Sequence, residues 1–392
     1  MIAADEFLDA ALAEGFDFYA GVPCSLLTPL INGALSRPRL DYVAAASEGE
    51  AIGIAAGAWL AGRGPVAMFQ NSGLGNAVNP LSSLTAPFRI PMLLVTSWRG
   101  QPGQPDEPQH ELMGSITHEL LQLLEIELSA FPQHSHLVAP FLRTASDRMS
   151  KTGLPYALVM SSGQVREEAL HATPFAPRQP GMSEKLDDGR ETSARAPILE
   201  ALLSQVPETA AIIATTGKCG RELYTIEDRP QHFYHVGAMG GASALGLGVA
   251  LNSSAPVVVL DGDGAALMRL GTMATIGAYH PANLVHIVFD NGAHDSTGGQ
   301  PTVAPVVDFP AMALACGYRY AATCGTVESF ADAYRRASMH GPSLIHVRIK
   351  QGAMANLGRP TVAPREVAQR FRAFLTEPTE QCRPAAMSGG SA

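Results

Sequence analysis

The sequence predicts an α/β protein made of two doubly wound parallel-sheet domains with no middle domain. Three observations carry this. Short apolar runs of strand length alternate with helical stretches along the whole chain. A polar, proline-containing stretch, 172–192, splits that alternation into two halves of similar size. The 392 residues are 46% apolar, enough for two ordinary cores. The expected units are 1–171, a linker at 172–192, a second domain at 193–376, and a disordered tail at 377–392.

The elements follow in order. The amphipathic, acidic opening MIAADEFLDAALAEGF reads as a helix and has no secretory signal pattern. Strands are expected in FDFYAGV (16–22), PVAMFQN (65–71), IPMLLVTS (90–97) and PYALVMSS (155–162) of the first half. The second half offers AAIIATTG (210–217), APVVVLDG (255–262), NLVHIVFDN (283–291) and SLIHVRIK (343–350). Each is a compact apolar run, as in a strand covered on both faces of a parallel sheet. Small-residue segments such as EAIGIAAGAWLAG (50–62) and ASALGLGVALN (242–252) read as buried helices between them.

Charge and cysteine content exclude several classes. The formal net charge of −9 disfavours nucleic acid and supplies no basic membrane patch. No apolar run reaches the roughly 18 residues of a membrane span. Only 16% of residues are charged, which suits a surface partly covered by another subunit. The five cysteines are scattered, odd in number and without a CxxC, as expected in a reducing cytoplasm.

The chemistry concentrates at LDGDGAALMRLG (260–271), where an expected strand ends in Asp261-Gly262-Asp263-Gly264. Ligands of open parallel sheets bind at the carboxyl ends of strands. Glycines there let backbone amides approach an anion, and a carboxylate offers a hard oxygen to magnesium. The next strand ends in Asp290-Asn291-Gly292, one helix and one strand further on. Adjacent strand ends can therefore bring the Asp263 carboxylate and the Asn291 amide oxygen to one cation. A plain turn, a phosphatase with Asp261 as nucleophile, a calcium loop and a magnesium diphosphate site all compete for the motif. The calcium loop lacks its glutamate, since Thr272 stands at that place. The phosphatase lacks its downstream acidic pair, and Lys350 is the one lysine after the motif.

GDG followed at this distance by a closing asparagine resembles the thiamine-diphosphate-dependent decarboxylases. The resemblance implies the thiamine-diphosphate-binding type of fold. It also implies Mg2+ held by Asp263, Asn291 and the backbone carbonyl of Ala293. Asp290 stands where the family's first asparagine of the closing pair usually is. In Ser47-Glu48-Gly49-Glu50, the spacing to Gly57 makes Glu48 the family's glutamate on the cofactor's pyrimidine ring, with Glu50 as an acid at a helix start. By the same resemblance Gly73, Thr216, Gly217, Gly262, Gly264 and Ala265 lie along the cofactor, and Met239 props its bent shape. The glutamate domain of one subunit then faces the diphosphate domain of another, so a homodimer or larger assembly is expected.

The lack of a middle domain resembles the compact phosphonopyruvate and sulfopyruvate decarboxylase family. GVPCSLLTPLI (21–31), QNSGLGNAVNPLSSL (70–84), SWRGQPGQPDEPQH (97–110), TTGKCGREL (215–223), DNGAHDSTGGQPTV (290–303) and LGRPTVAP (357–364) carry the likeness. The single fused chain looks most like the phosphonopyruvate branch. The implied reaction is decarboxylation of 3-phosphonopyruvate to phosphonoacetaldehyde in phosphonate biosynthesis, with sulfopyruvate as the alternative substrate. A dianionic phosphonate needs cationic or hydroxyl donors. Arg99 is the leading candidate, followed by Arg359 and Ser25. His110 and His294 are candidates for proton transfer, with Asp295 behind them.

Overall fold

The computed structural model describes residues 1–177, 179–187 and 189–377. The expected tail lies outside the described residues apart from Glu377. Two parallel sheets form the frame. The first has the order β2-β1-β3-β4-β6-β5. Its strands are β1 (Phe18–Gly21), β2 (Asp41–Ala44), β3 (Pro65–Phe69), β4 (Leu93–Ser97), β5 (Glu127–Ala130) and β6 (Tyr156–Met160). The second has the order β7-β14-β15-β11-β10-β8-β9. It contains β7 (Met182–Lys185), β8 (Ala211–Ala214), β9 (His232–Tyr234), β10 (Val257–Gly262) and β11 (Leu284–Asp290), with β14 (Tyr320–Cys324) and β15 (Ser343–Arg348). A small antiparallel pair, β12 (Ala293–His294) and β13 (Gln300–Pro301), lies between β11 and β14 in the chain.

Counted from β8, the second sheet repeats the strand order of the first, with β7 added at the β14 edge. The two halves are thus two copies of one topology. In each, the chain reverses direction across the sheet beside its first strand, and such a switch point opens a crevice at the strand carboxyl ends.

Each of the eight expected apolar runs contains a strand. Their residues are buried almost throughout, which is why they read as continuous apolar segments. Most strands without a sequence signal are short or lie at edges; β14, buried between β7 and β15, is the exception. β5 (ELSA) and β7 (MSEK) keep exposed or half-exposed side chains and need no apolar run. The stretch 172–192, expected to be linker, supplies β7, which pairs in parallel with β14. Glu184 secures it, accepting from Tyr320 Oη at 2.7 Å and pairing with Arg336 Nη1 at 2.8 Å.

The halves meet through equivalent helices. Glu48–Leu60 follows β2 and Ala242–Asn252 follows β9, and they pack on each other. Both are apolar or small around almost the full circumference, as an interior helix must be. A Cβ on Gly57 would collide with the Leu245 carbonyl oxygen and stand 2.8 Å from the Val249 nitrogen. A Cβ on Gly248 would strike the Ile54 carbonyl oxygen in return. Glycine on both helices is what allows backbone to meet backbone. Among the described residues no helix is long and apolar enough to cross a membrane.

Candidate active site

The carboxyl ends of β8, β10 and β11 enclose a cavity of about 290 Å³. Thr216 and Gly217 enter from β8, Gly262, Asp263, Gly264 and Ala265 from β10, and Asn291, Ala293 and His294 from β11, with Met239 on the wall. Ten residues singled out in the sequence therefore converge on one space. Gly217 has φ +97° and ψ −145°, a conformation open in practice to glycine. Around Gly262 an added Cβ would meet nothing within 4 Å, so the backbone there is bare toward open space.

Asp263 starts the short helix Asp263–Met268 and is 3% exposed. Its Oδ2 accepts a 2.5 Å hydrogen bond from Thr302 Oγ1. Burial pushes the carboxyl above its ordinary range, Asp290 adds to the shift, and the Thr302 bond opposes it. Asn291 donates Nδ2 to Asp295 Oδ2 at 2.7 Å, and its Oδ1 accepts from the Ala293 amide at 3.1 Å. The amide is thus fixed with its oxygen as the spare donor atom. Carboxylate, amide oxygen and backbone carbonyl form a hard-oxygen set that suits Mg2+ completed by phosphate oxygens. Among the described residues no group of three His, Cys, Asp or Glu side chains could hold a metal alone. The residues present fit a cation shared with a diphosphate.

Arg195, Glu222 and His286 carried no sequence signal, and Asp295 and Asp261 take places other than those read from the sequence. Asp295 Oδ2 also accepts from the Gly352 amide at 2.9 Å, so this carboxylate, a proton-transfer candidate from sequence, is occupied in holding Asn291 and the segment after β15. Arg195 is 7% exposed and pairs with Glu222 at 3.0 Å, and Glu222 Oε1 accepts from the Met354 amide at 2.8 Å. Asp261 is a fully buried strand residue, not a turn residue. His286 Nε2 stands 3.4 Å from its Oδ2.

The remaining candidates lie elsewhere. Glu48 is half-buried at the start of Glu48–Leu60, where the Ser47 hydroxyl caps the helix. Its Oε2 accepts from Asn76 Nδ2 at 2.8 Å. Gly73 presses against the Glu48 carboxyl so closely that any Cβ there would collide with it. Glu50 is 2% exposed, and burial raises its carboxyl above the usual range. Ser25, Arg99 and His110 follow β1 and β4 of the first sheet. Arg99 gives Nε and Nη2 to Asp106 and Nη1 to Ser25 Oγ at 3.0 Å. The Arg99 guanidinium holds Asp106 well below the usual carboxylate range, so its charge is already matched. His110 is 8% exposed, with Nδ1 unpaired. None of these first-half residues lines the cavity.

A second cavity of about 460 Å³ adjoins the first and shares Thr216, Gly217, Lys218 and Ser296 with it. Arg359 lies on its wall. His235 also faces it, and burial pushes that imidazole down to about 4, so it is neutral at pH 7.

Two sheets of one topology, with oxygen donors and bare glycine backbone at a switch point, define a thiamine diphosphate (pyrophosphate) enzyme. Residues 1–121 match the family described as thiamine pyrophosphate enzyme, N-terminal TPP binding domain, and 215–347 match its C-terminal TPP binding domain. The Rhodococcus jostii thiamine diphosphate-dependent 4-hydroxybenzoylformate decarboxylase has the same fold, at TM-score 0.70 and 13% identity over 90% of this chain and 100% of that one. Phosphonopyruvate decarboxylase of Streptomyces viridochromogenes is 49% identical over 389 residues, covering 96% of each chain. Sulfopyruvate decarboxylase of Methanosarcina acetivorans is 31% identical over 398 residues, 95% of this chain and 97% of that one. The chain belongs to the phosphonopyruvate decarboxylase family of thiamine diphosphate-dependent decarboxylases.

Proposed function

We propose that the chain decarboxylates 3-phosphonopyruvate to phosphonoacetaldehyde and carbon dioxide, using thiamine diphosphate and Mg2+. The observation that carries the reading is the cavity at β8, β10 and β11, where oxygen donors and glycine amides converge in a member of this family. Bound thiamine diphosphate supplies the electron sink that lets a 2-oxo acid lose carbon dioxide.

The chain's own residues supply the rest. Asp263, Asn291 and the Ala293 carbonyl would hold Mg2+, while Thr216, Gly217, Gly262, Gly264 and Ala265 present backbone to the diphosphate. Met239 would give the bound cofactor an apolar wall. Glu48 would hold a proton on the pyrimidine ring, with Asn76 fixing one carboxyl oxygen. His294 packs over Gly264, an added Cβ there standing 2.6 Å from its ring, and is placed to move a proton inside the cavity. Ser25 and His110 would act from the first half, where Arg99 is held by Asp106.

Glu48 and the cavity belong to different halves and do not meet within one chain, which supports a homodimer or larger assembly with sites shared between subunits. Val303 and Val306, next to the Asp263 partner Thr302, are 66% and 86% exposed, which suits a covered surface. The four described cysteines are free thiols, in keeping with a cytoplasmic setting.

The test supplies phosphonopyruvate, sulfopyruvate or pyruvate to the Mg2+-loaded holoenzyme and measures carbon dioxide release. Highest kcat/KM on phosphonopyruvate is expected. Preference for sulfopyruvate would move the chain to that branch, and no turnover of any of the three would end the reading.

A further inference from the structure

We infer that Lys218 and Arg359 form the site that selects a dianionic phosphonate over a singly charged sulfonate. This rests on the decarboxylase reading above and names the specificity element of that site.

Both residues line the larger cavity, and Lys218 faces the cofactor cavity as well. The surrounding cations are already engaged. Arg195 is tied to Glu222, and Arg221 donates to the Leu357 and Gly358 carbonyls at 2.8 Å each. Among the described residues, neither the Lys218 ammonium nor the Arg359 guanidinium makes a hydrogen bond or an ion pair. No Asp or Glu lines the larger cavity, so nothing there offsets their charge.

The pair is also held on one unit. Lys218 opens the helix Lys218–Ile226. From that helix Arg221 grips the carbonyls just before Arg359, and Thr225 Oγ1 accepts from the Gly358 amide at 3.1 Å. The backbone positions that carry the two cations are thereby held together before any ligand arrives, which lowers the ordering cost of binding. Two free charges match a phosphonate near its dianionic form, whereas a sulfonate carries one. Loss of one cation should therefore weaken the dianion far more than the monoanion.

The experiment compares wild-type, Lys218→Gln and Arg359→Gln holoenzymes on phosphonopyruvate and sulfopyruvate, with thiamine diphosphate titrated separately at saturating Mg2+. Each substitution should lower kcat/KM on phosphonopyruvate on the order of 30-fold and on sulfopyruvate about 3-fold, mostly through KM. The preference ratio then falls about tenfold while the cofactor Kd moves less than about twofold. An unchanged ratio overturns the inference. So does a cofactor Kd that rises in step with the activity loss, because Lys218 would then serve the diphosphate.

Wild type inactive on phosphonopyruvate would instead defeat the proposed function. 3-Phosphonopropionate, titrated calorimetrically into each holoenzyme, separates the two failures. It should bind wild type, and at least about tenfold more weakly each variant. Equal binding to all three overturns the site.

Discussion

Asp295→Ala should detach the Mg2+ response of the cofactor site from an otherwise intact fold. The Asn291 amide has two fixed partners, Asp295 Oδ2 on its nitrogen at 2.7 Å and the Ala293 amide on its oxygen at 3.1 Å. Rotating the amide by half a turn would break the first and set two donors face to face at the second. A hydrogen bond to a charged group contributes about 1.5–3 kcal/mol, a neutral one about 1 kcal/mol. Alanine at 295 removes the larger share and also frees the Gly352 amide. About 2 kcal/mol of lost orientation corresponds to about 30-fold in affinity, within the range usual for partners of metal ligands. The assay follows cofactor binding by intrinsic fluorescence at fixed thiamine diphosphate while Mg2+ is varied. The half-saturating Mg2+ concentration should rise about 30-fold in Asp295→Ala and only a few-fold in Asp295→Asn, which keeps an acceptor. An unchanged Mg2+ midpoint in the alanine variant, or equal damage in both, would refute the orientation argument.

Three further outcomes are expected. Glu48→Gln should leave thiamine diphosphate binding within a few-fold of wild type and cut kcat by at least about 100-fold; near-normal turnover would remove Glu48 from the catalytic role. Gly57→Ala should destabilise the fold by about 1–3 kcal/mol or more, because its Cβ meets backbone that cannot yield. Gly75→Ala, where an added Cβ meets nothing within 4 Å, should be neutral or slightly stabilising in the same thermal-unfolding series. Glu50 sets a pH dependence. Its carboxyl is raised by burial, so the folded chain keeps that proton to higher pH than the unfolded chain. The resulting stability is complete below the ordinary glutamate range and is lost as pH rises through the folded-state value. Against Glu50→Gln, wild type should therefore lose ground as pH rises above the ordinary glutamate range, and a wild type that gains on the variant there would contradict the burial argument.

The sequence announced what depends on burial at both faces or on position at a strand end. Runs such as APVVVLDG and NLVHIVFDN became β10 and β11 because interior strands must be apolar throughout. The residues just past them then had to share one crevice, which is how Thr216, Asp263 and Asn291 came to line one cavity. Strands held mainly by main-chain pairing at an edge, such as MSEK, gave no such pattern. The contacts around the site were largely silent. Asp295 grips Asn291 across four positions, but Arg195 reaches Glu222 across 27, and Arg221 reaches Leu357 across 136. A local reading has no access to contacts of that span. Arg99 shows the opposite limit: its place after β4 was legible, but its engagement by Asp106 was not.

The glycine-lined contact between Glu48–Leu60 and Ala242–Asn252 bears on the covalent continuity of the chain. The halves are joined by a buried seam of backbone against backbone, and the peptide bonds between them act as a tether. Residues 173–177 are exposed and belong to no helix or strand. A break there would leave β7 with the second sheet and the seam intact, so the two fragments would remain one particle. The reading frame could therefore be divided at this point into two separately translated polypeptides that reassemble without a dedicated fusion.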